Sequence, residues 1–155
     1  MTNRNHLLKL LRELLASFDV PAHPDFEAQS LEPSIALSFQ YNDLQLRLLH
    51  SEEPQIRHLG LIECRLGSVA PVDEESQYER LLDLNYRLCA TNSAFAIDAE
   101  GGDILYTCAF RTDEMNLDAL IGLIEAIEPI CEQWLRTEGD ATPHATPNLL
   151  EFLKP

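Results

Sequence analysis

The feature that most constrains the fold is a pair of alternating apolar segments between residues 94 and 111, which read AFAIDAEGGDILYTCAFR. Phe95 and Ile97 alternate with other residues before AEGGD, and apolar residues return at every second position after it. This period is typical of strands with one buried face. Gly101 and Gly102 are expected to supply the positive φ angles of a tight turn. The segment is therefore predicted to form a β-hairpin.

Three earlier segments show the same alternation and lie close together in sequence. They are SIALSFQ from residue 34, LQLRLLH from residue 44 and HLGLIECRLG from residue 58. Because short polar connections separate them, we expect an antiparallel meander of three strands.

Amphipathic helices are predicted before, between and after these strands. The first ends with LLKLLRELLASF, the second is EESQYERLLDLNYRLCATN, and the third is LDALIGLIEAIEPICEQWLRT, with Asn116 as its N-cap. Pro129 should kink the third helix or split it in two. The order αβββαββα predicts an α+β fold with one antiparallel five-stranded sheet. Residues 1–136 are expected to form one domain and residues 137–155 a flexible tail, with a short apolar plug from Leu149 to Leu153.

Charge restricts the classes of partner. The chain has 26 acidic and 11 basic residues, a formal net charge of −15, which repels phosphate backbones and anionic lipid surfaces. Nucleic acid is therefore excluded as a partner, and a basic or apolar polypeptide is favoured. Lys9, Arg12 and Glu13 interrupt the apolar N-terminal run, so it is predicted to be a helix rather than a signal peptide. No window is apolar enough to insert into a membrane, and a cytoplasmic protein is expected.

Cysteine spacing gives no support to a catalytic or metal centre. Cys64, Cys89, Cys108 and Cys131 form no C-x-x-C pair and are predicted to be buried thiols in a reducing compartment. No nucleophile motif, phosphate-binding loop or dinucleotide fingerprint is present. We therefore predict no enzyme activity, no catalytic residue, no metal and no cofactor.

One histidine pair is the remaining metal candidate. His50 and His58 flank a predicted turn, where Glu52 or Glu53 could supply a third ligand. Metal ligands usually cluster more tightly, so the favoured interpretation is a pair of surface-turn histidines.

Excess apolar surface is the more informative signal. One face of a five-stranded sheet can accept the first and last helices, which leaves the middle helix on the other side or at an edge. Self-association as a two-fold dimer would cover it. The alternative is that the middle helix completes a monomeric core.

The second half of the chain resembles a known family. From residue 78 to residue 134 it has an LL-LN helix, a hairpin with a D-EGG-L type turn, and an L-LD-L---I helix with a late tryptophan. This pattern resembles type III secretion chaperones of the CesT/SycE-like (Tir chaperone) group. The first half matches only in architecture. The long tail and Pro129 depart from the group and raise the question of a broad-specificity chaperone.

The resemblance implies a homodimeric, non-enzymatic virulence chaperone of the cytoplasm. Such a protein binds the N-terminal segment of a secreted effector, keeps it partly unfolded and delivers it to the secretion ATPase. The implied dimer interface comprises Leu81, Leu82, Asn85, Leu88, Phe95 and Ile97. The implied effector-binding groove comprises Leu7, Leu11, Leu14, Ile35, Leu37, Phe39, Leu46 and Leu48.

Two other hypotheses stay open at this point. One is a non-enzymatic interaction or regulatory domain of the same fold that binds a folded partner. The other is a thiol or metal enzyme built on Cys64, Cys89 or the histidines.

Overall fold

The computed structural model describes residues 3–21, 34–68 and 74–139, with side chains described up to residue 135. Within these ranges the chain forms three helices and five strands. The elements are α1 (Asn3–Ser17), β1 (Ser34–Tyr41), β2 (Leu44–Ser51), β3 (Leu59–Ser68), α2 (Glu74–Leu88), β4 (Ser93–Ile97), β5 (Asp103–Arg111) and α3 (Leu117–Gly139). The predicted order αβββαββα is confirmed.

All five strands belong to one antiparallel sheet, in the spatial order β1-β2-β3-β5-β4. The meander and the hairpin join where β3 pairs with β5. The register shifts between Arg65 and Gly67, and Gly67 has a φ of 97°. A shift of this kind is a β-bulge, for which glycine is suited because it carries no Cβ.

Alternation places most of the large apolar side chains of the five strands on one buried face of the sheet. Along β1, for example, Ile35, Leu37 and Phe39 are buried whereas Ala36, Ser38 and Gln40 are exposed. Gly60 occupies a core-facing position because the Phe110 ring of the opposite strand fills that space. A Cβ on Gly60 would lie 2.2 Å from the ring.

The turn of the β4–β5 hairpin differs from the prediction in one respect. Gly102 has a positive φ of 71°, but Gly101 does not. The N–H of Gly102 donates to the carbonyl of Asp98 at 2.8 Å, so one glycine is enough to close this turn.

Helices α1 and α3 contact each other, and α3 also contacts β3. At the end of α1, the Phe18 ring lies 4.9 Å from the Tyr41 ring of β1. Every leucine of α1 is buried: Leu7, Leu8, Leu10, Leu11, Leu14 and Leu15. Burying an aliphatic side chain contributes about 1.5–3 kcal/mol. The apolar side of α1 is therefore part of the core.

Helix α3 begins as predicted, because the N–H of Ala119 donates to Asn116 Oδ1 at 2.9 Å. It continues through Pro129 as a single helix, so the expected split does not occur. Proline removes one backbone hydrogen bond, but Ile127, Cys131 and Trp134 stay buried on either side of it. Packing against the core therefore keeps the helix continuous.

Helix α2 contacts β4 and so lies along the edge of the sheet. This agrees with the prediction that the middle helix is left on the other side or at an edge. Most of the predicted tail, residues 140–155 with Leu149–Leu153, falls outside the described residues. Residues 137–139 belong to α3, and the domain boundary at residue 136 stays a prediction.

Candidate protein-interaction surfaces

Helix α2 has two apolar stripes. Its buried stripe comprises Leu81, Leu84 and Leu88, and the polar Gln77 is buried on the same helix. Its outer stripe comprises Tyr78, Leu82 and Tyr86, spaced four residues apart, and Leu82 and Tyr86 are 70% and 79% exposed. Side chains four apart lie above one another on a helix. An edge helix of this composition therefore presents uncovered apolar surface.

A shallow groove of about 380 Å³ runs between α2 and β4. Its lining residues are Tyr78, Leu81, Leu82, Asn85, Phe95, Ala96 and Ile97. Five of the six residues predicted for the dimer interface lie in this lining. The sixth, Leu88, is buried in the core and does not line the groove. We name this surface the α2/β4 groove.

Asn85 connects the two walls of the groove. Its Nδ2 donates to the carbonyl oxygen of Phe95 at 2.9 Å, and the N–H of Phe95 donates to its Oδ1 at 2.7 Å. One side-chain amide thus satisfies both backbone groups of a strand residue. This pairing fixes the position of α2 along β4.

Aromatic packing supports the floor of the groove. The Phe95 ring lies 5.2 Å from the Tyr106 ring and 5.3 Å from the Trp134 ring, and the Arg80 guanidinium lies 4.4 Å above Trp134. Burial raises the pKa of Tyr106 to about 12, against an opposing hydrogen bond with Ser93. The floor is therefore part of the core, whereas the rim is exposed.

The eight residues predicted for the effector-binding groove are all in the core. They lie on α1, β1 and β2, and none is more than 7% exposed. They are brought together, since all belong to one buried cluster. They do not form a surface in this structure, however, because each helix residue faces the sheet and each strand residue faces the helices. Their binding role remains a prediction.

The open face of the sheet carries a second groove of about 390 Å³. Its lining combines polar residues, among them Arg47, Glu63 and Arg65, with the apolar residues Phe39, Leu46 and Leu105. Arg47 Nη2 lies 2.8 Å from Glu63 Oε2, and Arg65 pairs with Asp98 and Asp103. These pairs are partly exposed and stabilise the fold only weakly.

The thiols differ from one another. Cys64, Cys108 and Cys131 are buried as predicted, but Cys89 is exposed because it follows the last residue of α2. Burial raises the pKa of the Cys108 thiol, and a hydrogen bond with Cys64 together with burial raises the pKa of the Cys131 thiol. Thiolate is the reactive form, so both groups are poor nucleophiles.

His50 is not a surface-turn histidine, contrary to expectation. It is buried, its Nδ1 donates to the carbonyl of Leu59 at 2.9 Å, and its Nε2 lies 3.4 Å from Glu52 Oε1. It therefore ties the β2–β3 connection to the sheet. Among the described residues, no three His, Cys, Asp or Glu side chains are grouped as a metal site would need. None of the described helices is long and apolar enough to cross a membrane.

Comparison with known proteins gives a clear result for the fold. No model of a protein family matches the sequence, and no curated protein matches it. A chain in the crystal structure of the ExsC–ExsE complex superimposes with a TM-score of 0.73 and 18% identity, over 92% of this chain and 100% of that one. A chain in the structure of the HopA1–SchA chaperone–effector complex gives a TM-score of 0.58 and 14% identity, over 86% of this chain and 95% of that one. The chain thus has the fold of these two chains, and its resemblance to type III secretion chaperones is confirmed at the level of the fold.

Proposed function

We propose that this chain is a cytoplasmic chaperone for one or more secreted effector proteins. It binds the N-terminal segment of the effector, keeps that segment partly unfolded and delivers it to the ATPase of a type III secretion system. The observation that carries the proposal is the shared fold, which extends over 86% of this chain to a chain of a chaperone–effector complex. Fold alone does not determine function, so the surfaces and the charge must fit the role as well.

A homodimer formed through the α2/β4 groove is part of the proposal. Tyr78, Leu82, Tyr86 and Ile97 are exposed apolar residues on neighbouring elements, and such patches are typical of protein interfaces. A two-fold axis beside α2 would place the same stripe of both copies in contact. The dimer would then bury the apolar rim that the monomer leaves in water.

Charge supports a polypeptide client. The net charge of −15 attracts basic segments over distances of about 10 Å and keeps a protein with exposed apolar residues soluble. An unfolded client loses conformational entropy on binding, which a large contact area must offset.

The eight residues of the predicted effector-binding groove stay a prediction, and all of them are buried in this structure. Exposing them would require α1 to leave the sheet. That movement would uncover six buried leucines, and each would lose about 1.5–3 kcal/mol of stabilisation. Binding there would need a contact area large enough to offset that cost. Contact with exposed side chains carries no such cost, and hydrogen exchange can map which of the two surfaces the client covers.

The test begins with the protein purified from its own host, followed by identification of the polypeptides bound to it. The N-terminal segment of each captured protein is then synthesised, and its binding is measured by calorimetry. The proposal predicts that a protein exported by the secretion system is captured and that its N-terminal segment alone binds.

Two outcomes would contradict the proposal. Capture of a folded partner that binds equally well without its N-terminal segment would favour the interaction-domain hypothesis. Failure of every exported protein to bind would contradict the chaperone role outright.

A further inference from the structure

β4 is the last strand of the sheet, and within the described residues no strand pairs with its outer edge. Phe95 directs its N–H and its carbonyl toward α2, away from β5, because both groups bond to Asn85. Backbone groups alternate in direction along a strand, so those of Ile97 point the same way. An edge of this kind is a template for another strand.

Asn85 occupies the position that the backbone of a sixth strand would need. A neighbouring strand would bond to Phe95 through one carbonyl and one N–H, and the side-chain amide already supplies both at 2.7 and 2.9 Å. An incoming strand would have to displace this side chain. The outward apolar side chains beside it, Leu82 and Ile97, remain accessible.

We propose that Asn85 closes the outer edge of β4 against strand addition. The partner that covers the α2/β4 groove, which the proposed function identifies as a second copy of this chain, then packs side chain against side chain and does not extend the sheet. Asn85 acts through the Phe95 backbone and is a positioning residue. It limits association to a closed pair, whereas an open edge would permit continued strand addition.

The test compares the wild type with Asn85→Ala and with a matched control, Thr107→Val. Thr107 Oγ1 donates to the carbonyl of Ala94 at 3.0 Å, so the control also loses one side-chain bond to β4 but leaves Asn85 in place. Hydrogen exchange at the Phe95 amide reports whether the edge is open. Light scattering after size exclusion, over a hundredfold range of concentration, reports the size of the assemblies.

In Asn85→Ala we expect the Phe95 amide to exchange about tenfold faster, the factor that corresponds to one lost hydrogen bond. We also expect species larger than the wild-type assembly that grow with concentration. Thr107→Val should keep the wild-type size distribution. A merely stabilising role for Asn85 would lower the melting temperature in both variants and enlarge neither.

Two outcomes overturn the inference. One is an Asn85→Ala variant that keeps the wild-type mass at every concentration, and the other is unchanged exchange at Phe95. A monomeric wild type would instead contradict the proposed dimer. The test of Asn85 would still hold, because it compares the assembly size of Asn85→Ala with that of the wild type and of Thr107→Val.

Asn85→Asp serves if the alanine variant does not fold. It keeps the acceptor for the Phe95 N–H but places a carboxylate against the Phe95 carbonyl. Species larger than the wild-type assembly that grow with concentration support the inference, and their absence overturns it.

Discussion

Helices α1 and α2 have apolar residues at the same helical spacing, but the two helices lie in different surroundings. α1 contacts α3 and packs into the core, and all six of its leucines are buried. α2 lies along the edge strand β4, which covers one side of the helix and leaves Leu82 and Tyr86 exposed. Apolar periodicity alone therefore does not decide whether a helix face belongs to a core or to an interface. The position of the helix in the sheet topology decides it.

Identical substitutions on the two helices test this difference directly. Leu14 is fully buried on α1, so Leu14→Asp should place an unpaired charge in the core and lower the free energy of unfolding by more than about 3 kcal/mol. Urea denaturation measures the change. The same reasoning applies to Leu88, which is 1% exposed, so Leu88→Asp would unfold the protein and cannot serve as a clean test of the dimer.

Leu82→Asp should have the opposite profile. Because Leu82 is 70% exposed, the free energy of unfolding measured for the monomer at high dilution should change by less than about 0.5 kcal/mol. Association through the α2/β4 groove should be lost, since two charges would face each other across the two-fold axis. Sedimentation at increasing concentration measures this, and an unchanged dimer mass would refute the interface.

Gly60→Ala probes the packing of the core between β3 and β5, where Gly60 pairs with Phe110. Its Cβ would lie 2.2 Å from the Phe110 ring, and overpacking of this kind costs about 1–3 kcal/mol. Gly122→Ala on α3 is the matched control, because a Cβ there meets nothing within 4 Å. The control should raise stability by up to about 1 kcal/mol, as alanine favours a helix. Equal effects of the two substitutions would contradict the close packing at Gly60.

High pH tests whether the floor of the α2/β4 groove is buried. The pKa of Tyr106 is raised from its ordinary value of 10.0 to about 12, so the folded state holds its proton more tightly than the unfolded state. The resulting stability is present below pH 10 and is lost as the pH rises from 10 to 12, by up to about 2 kcal/mol. Tyr106→Phe should lose less stability over this range. Parallel denaturation curves for both proteins would show that the floor is open to water.

Most of the fold could be predicted because each strand has one buried face. Residues 34–40 and 44–50, for example, were expected to be strands, and β1 and β2 extend one residue beyond each. Pro129 was expected to kink or split the third helix, but α3 stays one helix because apolar residues on both sides of the proline are buried in the core.

The candidate site could be predicted only in part. The resemblance to the chaperone family implied an interface with Leu81, Leu82 and Asn85, and all three line the α2/β4 groove. Tyr86 was missed, although its spacing of four from Leu82 was the available signal. The predicted effector residues could not be separated from the core, since a groove and a core require the same apolar side chains and differ only in what covers them.

Native mass spectrometry of the protein purified from its own host, beside Leu82→Asp, tests the central claim most directly. The account predicts two chains with one additional secreted polypeptide for the wild type and a single chain for the variant. A wild-type protein that is monomeric and carries no polypeptide would contradict it.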